Sequence, residues 1–116
     1  MRFSTKRRNL VYAKTNYLCG YCGKPAGNNP HIEHMIPKSI GGNNDEDNLM
    51  LSCCECNIVK SNMNVEEFRI YISNLPNYFL EQIRFRVAKK FKQIKTTQKP
   101  IIFYFETLGD ENGKTN

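Results

Sequence analysis

Nothing in this chain is apolar for long. Its longest strongly apolar run is Ile101 to Phe105, far short of the roughly 20 residues a membrane-spanning helix needs. The first residues, Met-Arg-Phe-Ser-Thr-Lys-Arg-Arg, carry charge where a secretory signal needs an apolar core, so a cytoplasmic protein without membrane attachment is expected. Lacking an export signal, its five cysteines read as reduced thiols available to a metal rather than as a disulfide framework.

Acid is missing from two stretches. Residues 1–32 hold Arg2, Lys6, Arg7, Arg8, Lys14 and Lys24 with no Asp or Glu, and seven basic residues from Arg84 to Lys99 stand between Glu81 and Glu106 with no acid among them. The net charge is +6. Two basic blocks flanking one candidate site suit a polyanionic partner, and nucleic acid is the expected one. At 116 residues the chain is one small domain with an appendage. A domain this small buries only about two-thirds of its unfolded surface, so a metal staple would help it fold.

The chain is rich in paired cysteines. Cys19-Gly-Tyr-Cys22 and Cys53-Cys-Glu-Cys56 are Cys-x-x-Cys knuckles, and four thiolates so paired suit one tetrahedral zinc. Cys53 with Cys56 repeats the gap of the first pair, whereas Cys54 with Cys56 does not. Cys19, Cys22, Cys53 and Cys56 are therefore assigned to structural zinc, and Cys54 to a small packed or exposed thiol. The segment between the knuckles carries His31-Ile-Glu-His-Met-Ile-Pro-Lys38, and Asn57 follows the last cysteine.

Around this centre the pattern predicts short elements. Ser4 or Thr5 caps a basic helix to about Thr15, residues 31–36 form a strand stopped by Pro37, and residues 39–47 form a mobile acidic loop. A strand or turn near Asn48–Leu51 delivers the second knuckle, which opens a helix through about Lys60. Asn64 and Glu67 form a capping box for a helix from Val65 to about Ser73, ending before Pro76. A longer helix, about Tyr78 to Lys95, presents the stripe Leu80, Ile83, Val87, Phe91 and Ile94 as core or as a seam for a homodimer. Ile101–Phe105 predicts a last strand, against which Phe85 would pack, and a frayed tail follows from Gly109. The expected division is 1–62, N-terminal helix plus metal-stapled core, and 63–116, a helical extension ending in a strand and packed on that core.

Hydrolysing a phosphodiester needs an activated water, charge relief on the phosphate and help for the departing oxygen. His34 can take the proton, since unperturbed imidazole titrates near ~6.5. A divalent ion with oxygen ligands can do the rest, and Glu33 and Asn57 offer a carboxylate and an amide oxygen. Adjacent strand residues face opposite ways, so Glu33 and His34 share one cleft only if the strand twists or ends there. His31 shares strand parity with Glu33 and reads as an ordinary side chain able to reach metal or phosphate. Lys38 and Lys60 are candidates for phosphates near the cut, and Arg84, Arg86 and Lys89 for contacts along the extension.

Cys19-x-x-Cys22, Ile32-Glu-His-Met-Ile-Pro37, Gly41-Gly42, Asn48-Leu49 and Cys53-x-x-Cys56-Asn57-x-x-Lys60 together resemble the HNH endonuclease family, over about residues 14–62. The resemblance implies an α+β fold with a zinc-stapled ββα-metal core. It also implies His34 as general base, Glu33 and Asn57 as ligands of the catalytic ion, and Asn48 as the middle letter bracing the loop. Asn57 in place of the frequent final histidine makes this an HNN variant, and Glu33 replaces the commoner aspartate. DNA cleavage to 5′-phosphate and 3′-hydroxyl ends is implied, with Mg²⁺ or Mn²⁺ suited to such ligands. The alternative is a non-catalytic, zinc-stabilised nucleic-acid-binding module.

Overall fold

The structure is a computed structural model and describes residues 3–109; beyond Gly109 the expected frayed tail lies outside the described residues. Among the described residues, four α-helices and a two-stranded sheet make a mixed α+β fold. Its contacts divide into two units: everything up to Val65 is rejoined by the chain from Ile102 onward, and Glu66–Ile101 forms the second. No helix among the described residues is long and apolar enough to cross a membrane.

The first unit begins with α1, Thr5–Ala13, where Ser4 accepts a hydrogen bond from the Arg7 amide at 3.1 Å and so caps the helix. Val11 is its buried residue. Strand β1, His31–His34, pairs antiparallel with β2, Leu49–Ser52. The register sets His31 opposite Ser52, Ile32 opposite Leu51, Glu33 opposite Met50 and His34 opposite Leu49. All four β2 residues are buried, which makes this strand the centre of the unit. Lys14 reaches back from beyond α1 to the Leu49 carbonyl at 2.7 Å.

Helix α2, Cys54–Lys60, starts at the second knuckle, and Cys53 is its N-cap: the Cys53 Sγ accepts from the Cys56 amide at 3.4 Å. One cysteine thus both belongs to the metal cluster and fixes the entry of the helix. β1, β2 and α2 make the small zinc-stabilised ββα core.

The expected final strand at Ile101–Phe105 does not form. Residues 101–103 are irregular, and Tyr104–Thr107 is a 3₁₀ turn. The apolar residues read as a strand serve instead as an aromatic hook on the first knuckle. Tyr104 N donates to Tyr21 O at 3.0 Å and Phe105 N to Gly20 O at 2.8 Å. The rings of Phe103 and Phe105 meet Tyr21 edge-on, at 5.2 and 6.0 Å.

In the second unit, α3 runs Val65–Leu80, straight through Pro76 where a stop was expected. An internal proline costs about 3 kcal/mol by removing a backbone donor and crowding the preceding turn. One residue beyond the Ile72 carbonyl, which the proline leaves without its helical donor, Gln98 Nε2 donates to the Ser73 carbonyl at 3.0 Å. The expected helix over 78–95 is instead broken: α4 covers only Ile83–Lys90. Glu81 and Gln82 amides turn back to Tyr78 and Phe79 at 3.2 and 3.0 Å. Gln82 is extended, and Arg86 Nη1 holds the Leu80 carbonyl at 2.8 Å. The corner is closed by Phe79 and Phe85 stacked at 5.2 Å. The break dissolves the expected core stripe: Ile83, Val87 and Phe91 are all exposed.

Candidate metal centre and active-site cleft

The sulfurs of Cys19, Cys22, Cys53 and Cys56 all lie within 4.8 Å of one another. A tetrahedral zinc with Zn–S of about 2.3 Å asks for sulfurs about 3.8 Å apart, so the cluster fits one such ion. A hydrogen bond with Cys56 draws the Cys19 thiol well below the usual range, to about 4, against the upward push of burial. The same hydrogen bond, with burial, pushes Cys56 upward, and burial pushes Cys22 upward, so without a metal the thiolate gathers on Cys19. Cys54 is outside it, with its sulfur 3.8 Å from Asn29 Nδ2.

Between β1 and α2 lies an open cleft of about 370 Å³. Its lining brings together His31, Glu33, His34, Lys38 and Asn57. The parity conflict between Glu33 and His34 is resolved because β1 ends at His34, and both residues border the same space. Asn57 stands on the first turns of α2, immediately after Cys56, so the thiol cluster sets its position. Lys38 is exposed at the cleft, where a phosphate could meet it.

Glu33 is held from two sides. The Tyr21 hydroxyl donates to its Oε2, and Lys60 Nζ pairs with Oε1 at 2.9 Å. Burial pushes the Glu33 carboxyl upward, and the Tyr21 and Lys60 hydrogen bonds oppose that. Burial, then the Glu33 charge, raises the Tyr21 hydroxyl far above its ordinary value, which keeps it a donor. A carboxylate has about four lone-pair sites; Tyr21 takes one on Oε2 and Lys60 one on Oε1, which fixes its orientation. Lys60 also donates to the His34 carbonyl at 3.0 Å. Its side chain is buried, so it does not contact phosphate as its place in the sequence suggested.

Asn48 is buried and bridges the long β1–β2 connection. Its Oδ1 accepts from Ile36 N at 2.8 Å, and its Nδ2 donates to Ile36 O at 3.1 Å and to Asn43 O at 2.9 Å. It touches the loop and not the cleft, a bracing role. The loop folds tightly against Ile36: a Cβ on Gly42 would meet the Ile36 carbonyl oxygen at 1.7 Å, so only glycine fits. His34 Nε2 stands 2.7 Å from Asn44 Oδ1, a partner the sequence reading passed over.

Whether the cleft suits a second, harder ion can be judged from its donors. A carboxylate, an amide and two imidazoles line it, from Glu33, Asn57, His31 and His34. His31 Nε2 is buried without a hydrogen-bond partner among the described residues, and an unsatisfied buried nitrogen calls for a water or an ion. This donor set fits a divalent cation.

Residues 19–63 match the HNH endonuclease family model. No curated protein matches the chain. The HNH segment contains the whole thiolate cluster, both strands and α2, so the motif letters His34, Asn48 and Asn57 fall within the matched residues. Arg84, Arg86 and Lys89 lie outside it, exposed on α4, where Arg86 also caps α3.

Proposed function

We propose that the protein is a metal-dependent endonuclease that hydrolyses DNA phosphodiester bonds. The observation that carries this reading is the meeting of His34, Glu33 and Asn57 on one cleft inside a segment that matches the HNH endonuclease model. A zinc-stabilised binding module would have the thiolate cluster and the basic blocks, but no use for an imidazole beside a carboxylate and an amide.

His34 is the general base: it takes a proton from the attacking water, a contribution typically of about 10²–10⁴-fold. Glu33, oriented by Tyr21 and Lys60, and Asn57, fixed by the zinc-anchored start of α2, hold a divalent cation. Mg²⁺ or Mn²⁺ bound there would relieve charge on the phosphate and on the leaving oxygen. Lys38 at the cleft, and Arg84, Arg86 and Lys89 on α4, neutralise phosphates of the duplex.

The test is incubation of the zinc-loaded protein with supercoiled plasmid. Nicked or linear product with Mg²⁺ or Mn²⁺, abolished by chelator, is expected; intact plasmid with every divalent ion, despite measurable DNA binding, would favour the binding module.

A further inference from the structure

We propose that Asn44 positions His34 for proton abstraction by locking the imidazole in the tautomer with its hydrogen on Nε2. The inference rests on His34 as the base and names the residue that prepares it.

Asn44 Oδ1 is 2.7 Å from His34 Nε2. A carboxamide oxygen only accepts hydrogen bonds, so the ring nitrogen facing it must donate. The lone pair is then left on Nδ1, because the bond made by one ring nitrogen decides which form the other takes. A neutral imidazole with no such partner exchanges between both tautomers and presents its lone pair correctly only part of the time. Asn44 removes that loss.

The contact gains strength as the reaction proceeds. Nδ1 takes one proton from water, and the water oxygen forms a new bond to phosphorus. The bond to the 3′ oxygen breaks, and that oxygen leaves with its electron pair. The ring becomes cationic as this happens, and a hydrogen bond from a charged donor is about twice as strong as a neutral one. A contact stronger in the transition state than before it accelerates the step.

The neighbouring asparagine shows what an ordinary loop residue does here. Asn43 Oδ1 turns onto the Asp45 amide at 3.0 Å, a local turn bond of the kind asparagine favours. Asn44 instead reaches back across the loop to β1. Its backbone is held on both sides for that purpose. Arg7 of α1 donates to the Asn44 carbonyl, Asn48 Nδ2 grips the carbonyl of Asn43 at 2.9 Å, and Asn48 N bonds to Asp45 O at 2.8 Å. The middle letter of the motif thus supports the base indirectly, through the loop that carries Asn44.

The test is nitrogen-15 NMR of the imidazoles in the zinc-loaded protein, recorded alkaline of histidine titration, with His34 assigned by its loss in His34→Ala. The wild-type ring should show hydrogen on Nε2, and so should Asn44→Asp, which keeps an acceptor oxygen. Asn44→Ala should show the averaged nitrogen shifts of two exchanging tautomers. Its kcat should fall by about 10–100-fold, part of what a general base supplies, with unchanged zinc content and unchanged Kd for DNA. Hydrogen on Nδ1 of His34 in the wild type would overturn the proposal, as would an Asn44→Ala variant with wild-type tautomer or wild-type kcat. The NMR signature needs no DNA and no added divalent ion, so it decides this inference even if the plasmid test fails.

Discussion

Lys60 and Glu33 sit 2.9 Å apart with side chains 1% and 8% exposed, a lysine from the end of α2 folded under β1. Buried charges cost several kcal/mol each to desolvate, and removing one partner leaves the other uncompensated. Lys60→Met is therefore expected to destabilise the zinc-loaded protein by about 3–5 kcal/mol in urea unfolding. The salt dependence of DNA binding should stay unchanged, because this ammonium neutralises Glu33 and not a phosphate. A weaker salt slope at wild-type stability would return Lys60 to the DNA interface.

Tyr21 joins the zinc knuckle to the same carboxylate. Tyr21→Phe keeps the ring against Phe103 and Phe105 and removes only the hydroxyl that orients Glu33. Loss of a group orienting a metal ligand typically costs about 10–100-fold in metal affinity or activity. Mn²⁺ binding measured by calorimetry should weaken accordingly, with little change in zinc content. Unaltered Mn²⁺ affinity would mean that Glu33 needs no such guide, or does not hold the ion.

The thiolate cluster should be essential to folding. Structural zinc in small modules provides about 10–16 kcal/mol of apparent binding energy at neutral pH. Stripping zinc, or replacing Cys19 or Cys56 by serine, should abolish the circular dichroism and thermal transition of the first unit. Cys54→Ser should leave zinc stoichiometry intact, since its sulfur stands outside the cluster.

The basic face of α4 yields a separate expectation. Each phosphate contact removed lowers the slope of log K against log salt by roughly 0.9. Joint replacement of Arg84 and Lys89 by alanine should therefore reduce that slope by up to about 2 without changing plasmid cleavage at saturating protein. Arg86 is less informative because it also caps α3, and its loss would loosen the corner at residues 81–82.

The sequence disclosed what depends on spacing. Two equal cysteine gaps were enough to choose Cys53 over Cys54, and the order of motif letters was enough to bring His34, Glu33 and Asn57 to one cleft. Partners that depend on tertiary fold were hidden. Lys60 looks like any surface lysine until its helix is docked under β1, and Asn44 sits in a polar loop with no periodicity to mark it. Helical spacing misled at residues 78–95: the apolar stripe is continuous in sequence, but no proline or glycine announces the break at Glu81–Gln82. Pro76, conversely, looked like a stop and is absorbed within α3. The apolar stretch from Ile101 reads equally well as a strand and as an aromatic hook, and only the first knuckle decides between them.

The central claim is that His34 activates water beside an ion held by Glu33 and Asn57. It is tested most directly by single-turnover cleavage of a DNA duplex at saturating Mn²⁺, comparing wild type with His34→Ala at matched zinc content and matched DNA occupancy. The variant is expected to cleave about 10²–10⁴-fold more slowly. A cleavage rate within a few-fold of wild type would contradict the assignment.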